Sequence, residues 1–313
     1  MPSLTITRRS ALANLVAGWA WGSASAQNPV NGNARIRAQA GESEIILTTT
    51  NRLAGAIHSV TWGGREFINS FDHGRQLQSA SNLDCGGEFH GETFNPTEAG
   101  SRDDGAGPTS SSRLLKLEAA GNRLHTVNQM AFWLAPGEKS GGFPACNTTI
   151  LSDHLLTKTV QIGVEGLPHA LQYDVIFTLP KTEHHTFAQF EAVTGYMPPE
   201  FGRFLALDVP SGQLKPLSDG PGEQPKPVIL STANGSHAMG VIAPGPLPEG
   251  ITGPGYGRFR FVREKVTKWN CVFRKRDPKG VPPGDYSFRM FVAVGSLEDV
   301  RKTLLALAER AKA

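Results

Sequence analysis

From residue 44 onward, short runs of alternating, β-branched and aromatic residues are separated by Gly- or Pro-marked turns almost without a break. No single motif constrains the fold as much as this rhythm, because side chains alternate faces along a strand and tight turns demand Gly, Pro or Asn. The runs are 44–50, 53–62, 65–69, 113–119, 123–134, 148–164, 170–179, 184–194, 201–208, 228–232, 237–242, 257–263, 266–274 and 285–294. Gly63-Gly64 and Gly121-Asn122 mark hairpin turns. Only one helix is indicated, after Ser296: Ser296 and Asp299 form a capping box, and Val300, Leu304 and Leu307 make one apolar stripe. No short fixed repeat appears, which argues against a propeller or solenoid. The expectation is an all-β chain, a large two-sheet antiparallel β-sandwich of the supersandwich kind, with a C-terminal helix packed on a sheet.

The first 26 residues read as an export signal. Arg8-Arg9 precede an apolar run over 11–21, and Ala24-Ser25-Ala26 offers a small-x-small cleavage site. The order Thr7-Arg8-Arg9-Ser10-Ala11-Leu12 resembles a twin-arginine signal, with an ordinary secretory signal as the alternative. Either places the mature chain, 27–313, in the periplasm or outside the cell as one β-sandwich catalytic domain. No run is long enough for a membrane-spanning helix. The formal charge is only +3, of which Arg8 and Arg9 supply two, so no basic surplus favours nucleic acid. The sequence leaves the oligomeric state open. Three cysteines permit at most one disulfide, with Cys85 and Cys146 as candidates, and their spacing matches no zinc motif. Cys271 alternates inward with Trp269 and Phe273, as a buried thiol would.

Residues 72–104, DHGRQLQSASNLDCGGEFHGETFNPTEAGSRDD, hold seven carboxylates interleaved with His73, His90, Arg75 and Arg102. Gly and Pro here are expected to forbid a regular helix or long strand, leaving an irregular loop folded over the sheet with its charges aimed into one hollow. Glycoside hydrolysis needs two carboxylates at a set separation. Glu88 and Glu98, or Asp103 and Asp104, are the candidate acid–base residues, with Glu92 also in the stretch. His73, Arg75, Gln78, His90 and Asn95 are candidates to orient a sugar. No cofactor or metal is called for, since the ligand ladder of a calcium loop is absent.

The 184–194 run, HHTFAQFEAVT, offers a second source of chemistry. Its odd face carries His185, Phe187, Gln189, Glu191 and Val193, so Glu191 is an alternative catalytic carboxylate and His185 and Gln189 are candidate sugar contacts. Phe187 and Val193 on that face argue against a fully wetted surface. The basic run Arg258, Arg260, Arg263, Lys265 and Lys268 reads as the outer face of two strands, from which one arginine could reach a uronate. The competing readings are hydrolysis of an oligo- or polysaccharide, sugar epimerisation or β-elimination by a base and an acid across a sugar carbon, and glycan binding without chemistry.

The segment 53–67, LAGAIHSVTWGGREF, resembles the first hairpin of galactose-mutarotase-like proteins, where a Gly-Gly turn precedes an Arg- or His-bearing loop. The resemblance implies a twisted antiparallel supersandwich with a carbohydrate site on its concave sheet, and makes His73, Arg75 and His185 approximate counterparts of sugar-contacting residues. That superfold also carries polysaccharide lyases and accessory domains of glycoside hydrolases, so it does not choose a reaction. The middle-strand His and late catalytic Glu of the mutarotases have no recognisable counterparts in this chain.

Overall fold

The computed structural model describes residues 30–312. The expected export signal and its cleavage site lie outside them. The chain opens with β1 (Ala34–Ala40), β2 (Ser43–Thr49), β3 (Ile57–Trp62), β4 (Arg65–Glu66), β5 (Leu77–Leu83) and β6 (Pro96–Thr97). There follow β7 (Arg113–Ala120), β8 (Arg123–Phe132), β9 (Lys139–Ser140), β10 (Phe143–Pro144), β11 (Leu151–Val164) and β12 (Leu167–Leu179). The second half holds β13 (Phe187–Met197), β14 (Arg203–Asp208), β15 (Gln213–Pro216), β16 (Gly222–Gln224), β17 (Val228–Ser231) and β18 (Ala238–Ile242). It ends with β19 (Ile251–Phe261), β20 (Val266–Arg276), β21 (Gly284–Gly295) and α1 (Leu297–Arg310).

These strands form two antiparallel layers. One runs β5-β13-β20-β19-β16; the other runs β7-β8-β11-β12-β21-β18-β17-β14-β15. Short β6 pairs with β5 on one side and β8 on the other, so the layers join along one edge. Between them lies the core, built from Leu156, Val160, Tyr173, Phe177, Phe190, Trp269, Phe273 and Met290. This is the two-sheet sandwich that the strand rhythm predicted.

Helix α1 forms where its capping box places it. The Ser296 hydroxyl accepts from the Asp299 amide at 3.2 Å, and the Asp299 carboxylate accepts from the Ser296 amide at 3.2 Å. Val300, Leu304 and Leu307 cover Ala170, Ile229, Ala238 and Ala293 on the outer face of the second layer. The helix therefore backs the sheet farther from β5, β13 and β20.

Residues 72–104 depart from expectation. They are not one irregular loop: Leu77–Leu83 threads through them as β5, paired to β13. Its sequence, Leu-Gln-Ser-Ala-Ser-Asn-Leu, lacks β-branched residues, which concealed it. Ser79 points inward and remains satisfied, donating to the Ala192 carbonyl at 2.7 Å and lying 3.1 Å from the Tyr173 hydroxyl. Strand β1 also escaped the sequence reading, because its alanines carry little strand signal.

Candidate functional site

A register irregularity in β13 builds the site. Glu191 pairs with Val272 but Val193 pairs with Cys271, and on the other side Glu191 pairs with Ala80 but Thr194 with Gln78. Ala192 is thus an extra, bulged residue, which resets the alternation. Gln189 and Glu191 before it, and Thr194 and Tyr196 after it, share the outer face of the layer. Val193, expected on that face, is buried in the core instead. Beside them β5 presents Gln78 and Asn82, and β20 presents Lys268, Asn270 and Arg274.

These strands floor a hollow of about 110 Å³, lined by Gln78, Asn82, Glu191, Thr194, Tyr196 and Lys268 and walled by Glu92, Asn95, Thr97 and Trp133. Three donors converge on one oxygen of Glu191: Oε2 accepts from Lys268 Nζ at 3.1 Å, Asn270 Nδ2 at 3.2 Å and Thr194 Oγ1 at 3.1 Å. Asn270 is itself oriented, since its Oδ1 accepts from the Gly257 amide at 3.0 Å. A Cβ on Gly257 would come within 2.2 Å of that oxygen, so glycine is needed there. Glu191 Oε1 receives no donor from the described residues. Burial pushes the Glu191 pKa up, but the Lys268 charge and the three hydrogen bonds outweigh it and hold the carboxyl below its ordinary value. Lys268 is likewise opposed by burial and raised above its ordinary value by Glu191. Glu191 is therefore an ionised group with one oxygen committed and one open.

The wall adds a second carboxylate. Glu92 adopts φ 70°, a left-handed backbone conformation that costs a non-glycine residue energy. Its amide donates to Asn82 Oδ1 at 2.9 Å and its carboxylate accepts from Ser140 Oγ at 2.8 Å. Ser140 belongs to the β9–β10 hairpin, which is tied back by a Cys85–Cys146 disulfide. In the same flap Phe143 stacks on His90 with ring centroids 3.5 Å apart. Gln78 donates to the Gly74 carbonyl at 2.9 Å, while its Oε1 is buried beside the hollow without a partner. A roomier cleft of about 450 Å³, bordered by Asp174, Pro244 to Pro248 and Arg289, offers less chemistry. Its two charged residues are already paired to each other at 2.7 Å.

The residues expected to act together scatter. Glu98 is fully buried between the layers, ion-paired to the equally buried Lys158 and accepting from the Ser79 amide at 3.1 Å, so it reaches no substrate. Asp104 caps a turn, accepting from the amides of Ser101 and Ser111, each at 2.8 Å; Asp103 is exposed in the same turn. Glu88 lies open to solvent, 3.4 Å from His90. His73 is buried, its ring nitrogens each 2.8 Å from a backbone carbonyl, those of Gly105 and Arg52. Arg75 pairs with Asp72 at 3.0 Å. His185 is buried beside Asp84 and Glu183. Of the expected residues, Gln78, Asn95 and Glu191 line the hollow, and Gln189 adjoins it, accepting from Arg274 Nε at 3.0 Å. Lys268, Asn270, Tyr196, Trp133 and Asn82 were missed as site residues. Lys268 alone carried a signal, in the basic run, and it reads there as surface. Among the described residues, no three His, Cys, Asp or Glu converge as a metal site, and no helix is long and apolar enough to cross a membrane.

No family model and no curated protein matches the chain. Among solved structures it is similar to the Slr1438 protein of Synechocystis, at 12% identity and TM-score 0.44, covering 86% of this chain and 96% of that one. It is also similar to a family 36 α-galactosidase from Geobacillus stearothermophilus, at 10% identity and TM-score 0.44, over 86% of this chain but 42% of that one. A glycosyl hydrolase family 38 protein from Enterococcus faecalis is similar at 11% identity and TM-score 0.48, over 87% of this chain and 32% of that one. The chain thus spans less than half the length of both hydrolases. These are likenesses of fold, and the chemistry below is argued from this chain's own residues.

Proposed function

We propose that the hollow over β5, β13 and β20 is the active site of an exported carbohydrate-active enzyme that cleaves a glycosidic bond. The observation that carries this reading is Glu191, held ionised through Oε2 while Oε1 stays open. In such a reaction a carboxylate attacks the anomeric carbon, directly or through a water it deprotonates, as the glycosidic C–O bond breaks. A second side chain, as the carboxylic acid, gives its proton to the departing oxygen. Glu191 takes the first role and Glu92, on the facing wall, the second. Gln78, Asn82 and Asn95 supply the amides that sort hydroxyl groups, and Trp133 and Tyr196 supply ring faces for the apolar side of a sugar. The Cys85–Cys146 bridge supports the exported reading, since such bonds persist in oxidising compartments.

No histidine lines the hollow, so a histidine–carboxylate pair for epimerisation finds less support. The test is release of reducing ends from a glycan panel by the wild-type protein, Glu191→Gln and Glu92→Gln. Each variant is expected to lose at least about 100-fold in turnover. Full activity in both sinks the assignment. Saturable glycan binding by the wild type with no product would make the protein a binder, and an unsaturated product absorbing in the ultraviolet would make it a lyase.

A further inference from the structure

Beyond the hollow, the same face continues along β13 and β20, and its character changes. Lys268, Arg274 and Arg276 project from β20 on this side. The first is neutralised by Glu191 at 3.1 Å and the second by Glu223 at 2.7 Å. Arg276 has no carboxylate partner among the described residues. Its guanidinium instead lies over the Phe187 ring, 4.7 Å from the centroid, and Phe187 meets Phe89 edge-to-face at 4.6 Å. Phe89 is 37% exposed, and Arg276 is exposed. An exposed arginine ordinarily wanders. This one sits over a ring that is itself 7% exposed and anchored in β13, which restrains an exposed guanidinium that has no carboxylate to answer it.

Phe187 pairs with Arg276 across the ladder, and Gln189 pairs with Arg274 between this place and Glu191. Four residue steps along the strand lead from Phe187 to Glu191, about 13 Å at the usual rise. A chain of sugars spans that distance; a single ring at Glu191 does not.

We propose that Phe89, Phe187 and Arg276 form a distal subsite for a carboxylate-bearing sugar, so that the substrate is an oligo- or polysaccharide containing uronate units. This rests on the carbohydrate reading of the hollow. A uronate matches the place on two counts: its planar carboxylate fits the guanidinium fork by two parallel hydrogen bonds, and its ring offers C–H faces to Phe89. The neutralised Lys268 and Arg274 leave Arg276 as the one cation of this row still to be answered.

The experiment is calorimetric titration of the wild type and Arg276→Gln with tetramers of galacturonate, mannuronate and glucuronate. Each is used with free carboxylates and as its methyl ester, with uncharged tetramers of galactose, mannose and glucose alongside. Arg276 is exposed, so the substitution leaves the fold intact. At least one free-acid tetramer is expected to bind the wild type tenfold or more tightly than its ester. Arg276→Gln is expected to erase that preference while leaving ester binding within about twofold. Equal affinity for acid and ester in the wild type, or a preference that survives in Arg276→Gln, overturns the uronate subsite. If uncharged tetramers bind and acids bind no better, only this inference falls. If no tetramer of any kind binds, the carbohydrate reading falls with it.

Discussion

The molecule contains two lysine–glutamate pairs whose difference is instructive. Lys158 and Glu98 meet between the layers with both side chains at 0% exposure, and both Glu98 oxygens are spent, one on Lys158 and one on the Ser79 amide. Lys268 and Glu191 meet on the outer face of β20 and β13 with side chains at 12% and 16% exposure, and three donors crowd one oxygen while the other stays open. The same two residue types make a strut in one place and a reactive group in the other. What separates them is whether both carboxylate oxygens have an internal partner.

Breaking the sealed pair is expected to have the largest effect. Lys158→Met strands a buried carboxylate and should cost about 3–5 kcal/mol of stability in urea unfolding, while surviving folded protein keeps its glycan affinity. A loss under about 1 kcal/mol would mean that water reaches Glu98, and the contrast would collapse. Next comes the tether of the flap. Cys85→Ser with Cys146→Ser opens a link across 61 residues, for which an expected loss of about 2–4 kcal/mol follows from loop entropy. Glycan binding should weaken as well, since the flap carries Ser140, the partner of Glu92.

Lys268→Met sharpens the comparison from the other side. Glu191 keeps two hydrogen bonds and access to water, so the stability cost should stay near 1 kcal/mol. Its carboxyl, no longer held down by Lys268, should titrate higher, and the acid limb of the activity–pH profile should move to higher pH. An unmoved limb would detach Glu191 from the chemistry.

The smallest effect concerns a third arrangement, in which Glu183 Oε2 lies 2.6 Å from His154 Nε2 and 3.1 Å from His185 Nε2. Burial pushes Glu183 up, yet the two imidazoles outweigh it and hold the carboxyl at about 2. His185 is opposed by burial and raised by Glu183 and Asp84. A depressed acid stabilises the fold above its unfolded value of 4.5, a contribution lost as pH falls toward about 2. A raised histidine stabilises below its unfolded value of 6.5, a contribution lost as pH rises through its higher folded value. The cluster should therefore stabilise most between those two values. His185→Asn should remove about 0.5 kcal/mol within that window and flatten the decline above it, as read from urea midpoints across pH.

Most strands, β1 and β5 excepted, and the helix were legible because their signals are local: turns at Gly63-Gly64 and Gly121-Asn122, the box at Ser296, and alternation between. The candidate site was legible only in part, for two physical reasons. Charge density along the chain does not measure convergence in space, and the acids of 72–104 went separately to a core strut, turn caps and open solvent, with Glu92 alone reaching the hollow. The floor instead draws on β5, β13 and β20, segments far apart in sequence and joined only by pairing. Alternation counted from His185 correctly turned Gln189 and Glu191 outward, but the bulge at Ala192 sent Val193 inward and brought out Thr194 and Tyr196.

That extra residue separates contour from composition. Removing Ala192 would restore ordinary alternation, yet Glu191, Thr194 and Tyr196 would still emerge on one side, since the count between them would become even. The same functional groups would then stand on a straighter ribbon. One deletion would thus report whether the basin depends on its bend or merely on what it displays.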